Sequence, residues 1–174
     1  MLEPSNSKPY LILAITLFIN LFSLQVNSAD SLNSRNILGK PSPNFSLSDI
    51  KGQKVNFKQW RGKKVVLINF WATWCLPCVK EIPMLNKFQK RYAEDDLQIV
   101  GIAIDNATAI NQFTQKIPIH YPNLIGNAQL TLKFGNRTGS LPYTVIVDQQ
   151  GNIVETASGM LTETYLQRAI EKHL

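Results

Sequence analysis

Cys75 and Cys78 are the only cysteines in a chain of 174 residues, and both lie in the stretch 69–83, NFWATWCLPCVKEIP. Two cysteines at this spacing could form a redox dithiol, half of a metal site, a haem attachment point or a structural staple. Covalent haem attachment needs a histidine directly after the second cysteine, and Val79 stands there instead. A structural zinc site needs four ligands, usually as two pairs. The two histidines, His120 and His173, lie far apart without ligand spacing, so each reads as a surface or loop residue and no metal is expected. A disulfide between residues three apart closes a small loop and constrains the unfolded chain little. Redox chemistry is the favoured reading.

A thiolate, not a thiol, is the nucleophile in such chemistry, so the surrounding elements must favour an anion. Residues 63–70, KKVVLINF, are apolar and β-branched after the two lysines, as in a strand buried on both faces. A helical stretch runs from about Leu76 to Ala93, with Ile82, Leu85, Phe88 and Tyr92 on one stripe. Cys75 then sits at a helix N-terminus, where unpaired N–H groups and the helix dipole favour negative charge. Such locations lower a cysteine pKa from about 8.5 to roughly 3.5–7.5. Pro77 is tolerated because the first helical turn has no internal N–H bond to lose.

Residues 97–104, LQIVGIAI, read as a second buried strand, and strand, helix and strand in sequence make a parallel βαβ unit. Before it, FSLSDI and KVNF flank Lys51-Gly52-Gln53 as a hairpin. After it come a helix over 107–116, an extended YPNLI and a helical turn or two at NAQLTLKF. PYTVIVDQQGNIVETA reads as a hairpin with Gly151-Asn152 near its turn, and a last helix starts at Thr162 with Leu166 and Ile170 facing in. The expected class is α/β: a central mixed β-sheet flanked by helices, with an N-terminal β-hairpin and a central αβ insertion.

With 44% hydrophobic and 17% charged residues the chain can bury a core without help from a disulfide. Residues 10–24, YLILAITLFINLFSL, are apolar, follow Lys8, and fall short of a bilayer span of about 20 apolar residues. Residues 1–28 therefore read as a secretory signal peptide, set aside from the fold, or as an N-terminal membrane anchor. Residues 29–36 read as a linker and 37–174 as the folded domain, outside the cytoplasm under either reading. Glu3 and Lys8 cancel, so the net charge of +6 belongs to the exported part. Lys51, Lys54, Lys58, Arg61, Lys63 and Lys64 cluster with no acid among them. No nucleic-acid-binding motif accompanies them, so nucleic acid is not an expected partner and the cluster reads as a solvated basic edge.

FWATWCLPC resembles the active-site loop of the thioredoxin superfamily. From about Ile37 onward the chain resembles the exported TlpA/ResA-like branch, through GKPSPNFSLSDIKGQ, WRGKKVVLINFWATWCLPCVKEIPML, SLPYTVIVDQQGNIV and GMLTETYLQRAI. The resemblance implies a thioredoxin-like fold and an extracytoplasmic thiol-disulfide oxidoreductase that reduces disulfides of exported proteins. It implies that Cys75 is the exposed attacking cysteine and Cys78 the resolving one, a redox-active disulfide with no other cofactor. Pro142 matches the cis-proline that faces the disulfide and presents the Leu141 backbone to an extended substrate, with Trp74 beside the cysteines as a further substrate contact. Pro83 matches a proline that kinks the active-site helix. Thioredoxin carries a buried aspartate where this chain has Asn69, which cannot take a proton. Glu81 matches a glutamate of ResA-like proteins and reads as the proton acceptor for Cys78; otherwise it is a first-turn glutamate favoured by the helix dipole.

The implied partners are exported protein thiols and disulfides, with a membrane thiol-electron transporter as donor to a monomeric domain in the periplasm or tethered to the outer face of the cytoplasmic membrane. Implied substrates include the CxxCH disulfide of apocytochrome c and copper-site cysteines of oxidase subunits. The cytochrome-specific branch carries Glu after the cis-proline, and Tyr143 stands there here. A copper-binding chaperone on the same fold would want a longer cysteine spacing and a nearby histidine. A thiol oxidase or isomerase would differ in potential, which Leu76-Pro77 does not set. A peroxidase would carry Pro-x-x-x-Thr/Ser-x-x-Cys, and no such proline precedes Cys75.

Overall fold

The computed structural model describes residues 37–174, so the leader or anchor over 1–28 and the linker over 29–36 lie outside the described residues. The chain order is β1 (Ser46–Ser48), β2 (Lys54–Asn56), a 3-10 turn (Phe57–Gln59), β3 (Val65–Trp71), α1 (Leu76–Tyr92), β4 (Leu97–Ala103) and α2 (Ala107–Thr114). It continues with β5 (Asn123–Ile125), α3 (Ala128–Lys133), β6 (Tyr143–Val147), β7 (Ile153–Ser158) and α4 (Glu163–Glu171). β1 and β2 pair antiparallel as the expected hairpin. The main sheet runs β5-β4-β3-β6-β7, with β4 parallel to β3 and to β5, and β6 antiparallel to both β3 and β7. This is the mixed sheet expected from the sequence, and α2, β5 and α3 form the central insertion.

All seven residues of β3 are buried, which explains a run with no alternation of polar and apolar residues. On one face of the sheet, Phe45, Phe57, Ile68, Phe70 and Phe134 pack together. On the other, α1 and α4 lay Leu85, Phe88, Leu166 and Ile170 over Val65, Leu67 and Ile99. The stripe read from the sequence is buried in full, as are both inward residues of α4. Strand β3 runs one residue further than the sequence reading placed it. Trp71 pairs with Ala103 of β4 and completes the strand, so only Ala72, Thr73 and Trp74 separate it from Cys75.

Two other readings need correction. Arg61 is not part of a solvated basic edge: its Nε donates to Ser42 Oγ at 2.9 Å, and its side chain lies against Gly151. Gly151 has φ +86°, so a side chain there would be strained as well as crowded by Arg61. His173 is no free surface group either, since its Nε2 lies 3.3 Å from Glu155 Oε1 with its side chain largely covered. His120 does sit exposed in the loop before β5.

Gly101 of β4 marks a close approach on the α1 side of the sheet. A Cβ there would fall 2.8 Å from Asn123 Oδ1, 3.1 Å from Tyr121 and 3.3 Å from Trp71 Nε1. Trp71 Nε1 donates to that same Asn123 oxygen at 2.9 Å, so the glycine makes room for a half-buried hydrogen bond. Gly101→Ala is expected to lose about 1–3 kcal/mol of stability through this overpacking, measured by urea denaturation. An unchanged midpoint would show that the indole and amide can move aside.

Candidate active site

Chain direction builds the site. β3 ends at Trp71 in the middle of the sheet, and α1 must start beyond the sheet edge to fold back over it. The connecting loop is tied down on both sides: Ile104 N–H donates to Trp71 C=O at 2.8 Å, and the Thr73 hydroxyl donates to the Asp105 carboxylate. Cys75 is the N-cap of α1, with extended backbone at φ −88° and ψ 97°, and Pro77 falls in the first turn. The Cys78 N–H points at Cys75 Sγ at 3.3 Å. A free helix N–H aimed at the sulfur is the arrangement that lowers a thiol pKa.

The two cysteines are joined, with an S–S distance of 2.08 Å and Cα atoms 5.3 Å apart. Both are more covered than the resemblance implied for the attacking residue. Cys75 is 5% exposed and Cys78 1%, enclosed by Trp71, Ala72, Ile82, Ala103 and Ile110. Cys75 remains the outer of the two. Around them the surface is apolar: Trp74 and Leu76, on either side of Cys75, are 69% and 74% exposed.

The peptide bond between Leu141 and Pro142 is cis. Leu141 packs half-buried against the cluster that holds both cysteines, immediately before β6. Pro142 C=O accepts from Gly159 N–H at 2.8 Å, which ties the chain just past β7 to this loop. Tyr143 points into the core and donates its hydroxyl proton to Phe134 C=O at 2.9 Å. The residue after the cis-proline therefore offers no side chain to a partner.

Glu81 is the buried charge of the site, 1% exposed and one turn along α1 from Cys78 on the same helix face. The side chain is sealed from solvent rather than projecting from the helix surface. Its carboxylate accepts from Leu161 N–H and from Asn69 Nδ2, the latter at 3.4 Å. Burial raises its pKa and the two hydrogen bonds lower it; burial wins, and the group is pushed up to about 7. Among the described residues no cluster of three or more His, Cys, Asp or Glu is placed to hold a metal. No described helix is long and apolar enough to cross a membrane.

Sequence reasoning named Cys75, Cys78, Glu81, Trp74, Leu141 and Pro142, and the structure brings these to one end of the sheet. It missed Thr144 and the Leu161 N–H, which reach Asn69 and Glu81 from 75 and 80 residues away. The only sequence signal for Thr144 is its place two residues after Pro142, on a strand whose register the sequence does not reveal.

The chain belongs to the AhpC/TSA family of thioredoxin-like proteins, whose family model matches residues 38–156. It is similar to the thiol-disulfide oxidoreductase ResA of Bacillus anthracis, with 34% identity over 137 residues, 78% of each chain. It is also similar to the thioredoxin-like protein YneN of Bacillus subtilis, 33% identical over 137 residues, 76% of this chain and 78% of that one. Among solved structures, a thiol:disulfide interchange protein of the thioredoxin family from Chlorobium tepidum superposes with a TM-score of 0.68. It is 26% identical and covers 76% of this chain and 94% of its own. With its bonded Cys75–Cys78 pair at a helix N-terminus, this chain is a thiol-disulfide oxidoreductase acting on protein thiols.

Because Glu81 titrates higher folded than at its ordinary value of 4.5, the folded chain holds a proton that the unfolded chain has lost between those two points. This contribution to stability is fully present below pH 4.5, declines as pH rises, and is gone above about 7. Glu81→Gln should remove that decline. Denaturant midpoints of the oxidised protein and the variant across this window would show it, and parallel curves would contradict it.

Proposed function

We propose that this domain is an extracytoplasmic reductant of protein disulfides. The observation that carries the reading is Cys75 as N-cap of α1, with the Cys78 N–H directed at its sulfur. In the reduced protein this site favours a Cys75 thiolate at neutral pH. That thiolate attacks one sulfur of a substrate disulfide, forms a mixed disulfide, and releases the other substrate sulfur as a thiolate that takes up a proton. Glu81 accepts the proton of Cys78, whose thiolate attacks the Cys75 sulfur and expels the second substrate thiolate. The Cys75–Cys78 disulfide closes, the substrate has gained two electrons, and the domain has lost two.

The domain works with no cofactor beyond its own disulfide. An oxidising compartment would keep it in the bonded form, so reduction needs a dedicated donor, for which a membrane thiol-electron transporter is the fitting class. The apolar N-terminal segment supports a location in the periplasm, freed by cleavage or tethered as a monomer to the outer face of the cytoplasmic membrane. Exposed Trp74 and Leu76 supply an apolar platform for a protein chain, and Leu141 offers its backbone to an extended one. Cysteine pairs of apocytochrome c and of oxidase copper sites are the substrate classes to test first.

Cys78→Ser should accumulate mixed disulfides through Cys75 in cells, and Cys75→Ser should not. Identification of the captured chains names the substrate. Absence of capture, together with tight Cu(I) binding by the dithiol, would overturn the reductase reading in favour of a copper carrier. A potential near the reducing end of the superfamily range of roughly −270 to −120 mV is expected, and one at the other end would mean an oxidase.

A further inference from the structure

Glu81 is served by three segments that the sequence keeps apart: α1, on which it sits, β3 through Asn69, and the loop before α4 through Leu161. Behind Asn69 stands a fourth, β6. Asn69 Nδ2 donates to Thr144 Oγ1 at 3.1 Å as well as to Glu81 Oε2 at 3.4 Å, and all three residues are buried. The pairing is set by the sheet, because Asn69 and Thr144 face each other in the β3–β6 register. Directly opposite residues carry their side chains on one face within contact distance.

A carboxylate buried to this degree needs donors, or it takes up a proton and ceases to be a base. The Leu161 N–H is a fixed donor. Asn69 is not fixed by its own chemistry, since a primary amide can turn either NH2 or C=O toward a carboxyl group. Its NH2 favours the carboxylate, whereas its C=O would accept from the protonated acid and favour that form instead. The same NH2 also donates to the Thr144 hydroxyl oxygen, a cross-strand bond that anchors the amide beside Glu81.

We propose that Asn69, oriented by Thr144, is a positioning residue that keeps Glu81 available as the base for Cys78. This rests on the reading of Glu81 as that base. Neither residue touches the reacting sulfurs in this role; both act through the carboxylate.

Two readouts separate this role from simple packing. One is the pH profile of resolution, followed by stopped-flow release of the second aromatic thiol when the reduced protein meets an aromatic disulfide. The other is the infrared carbonyl stretch of protonated Glu81, assigned by its loss in Glu81→Gln. Asn69→Leu removes the donor with similar volume and should move both midpoints up by about one pH unit, with the high-pH plateau retained. Thr144→Val should move them the same way by less, and Thr144→Ser should restore them. Should Asn69→Leu fail to fold, the Thr144 pair decides alone. Midpoints that stay in place, or a rate that falls equally at every pH, would overturn the proposal. Failure of the base reading looks different: Glu81→Gln would leave the resolution profile unaltered while the carbonyl band still moved in Asn69→Leu and Thr144→Val.

Discussion

Strand β3 is hydrogen-bonded on both edges and covered on both faces, and the rest of the molecule follows from that burial. Its seven residues contribute the centre of both packed layers, at about 1.5–3 kcal/mol for each fully buried large aliphatic or aromatic side chain. A strand held this way has a fixed direction and a fixed end. The chain leaves the sheet at Trp71, and α1 starts almost at once so that it can return over β3. Cys75 is therefore anchored at a helix N-terminus by the core itself, with the Thr73–Asp105 contact holding the short loop between them.

One polar residue interrupts that strand. An amide in such a place is costly unless it is hydrogen-bonded, and Asn69 finds both its acceptors in the site, on Glu81 and Thr144. The same burial acts in opposite senses along α1. It leaves Cys75 at the rim, where helix N–H groups favour an anion, and it seals Glu81 one turn past Cys78, where an anion is disfavoured. The two donors on Glu81 offset part of that penalty and leave the group near neutrality, at about 7. In the proposed mechanism, a thiolate at the rim and a buried base with a pKa close to ambient pH divide the labour between attacking and resolving steps.

Much of this was legible in the linear pattern. The uninterrupted apolar run before the cysteines read as a doubly covered strand, and the 3.6-residue stripe through Ile82, Leu85, Phe88 and Tyr92 read as a helix lying on it. Their junction placed Cys75 where it is found. What stayed hidden was lateral. Arg61 looked like one more solvated base, because nothing in the sequence shows that it folds onto Gly151 and Ser42. Thr144 looked like one more strand residue for the same reason. The cover over Cys75 is likewise supplied by Ala103 and Ile110, from segments about 30 residues downstream.

The chemistry on offer is written in the linear chain: a cysteine pair at a helix start, a nearby carboxyl group, and a proline ahead of a buried strand. These follow from residue type and local periodicity, which act over a few positions of chain. The state of that chemistry is set by packing. Whether Glu81 is solvated or sealed, which groups donate to it, and which way the Asn69 amide faces depend on strand register and on the loop before α4. Those are contacts across 12, 75 and 80 residues, set by how the whole core packs.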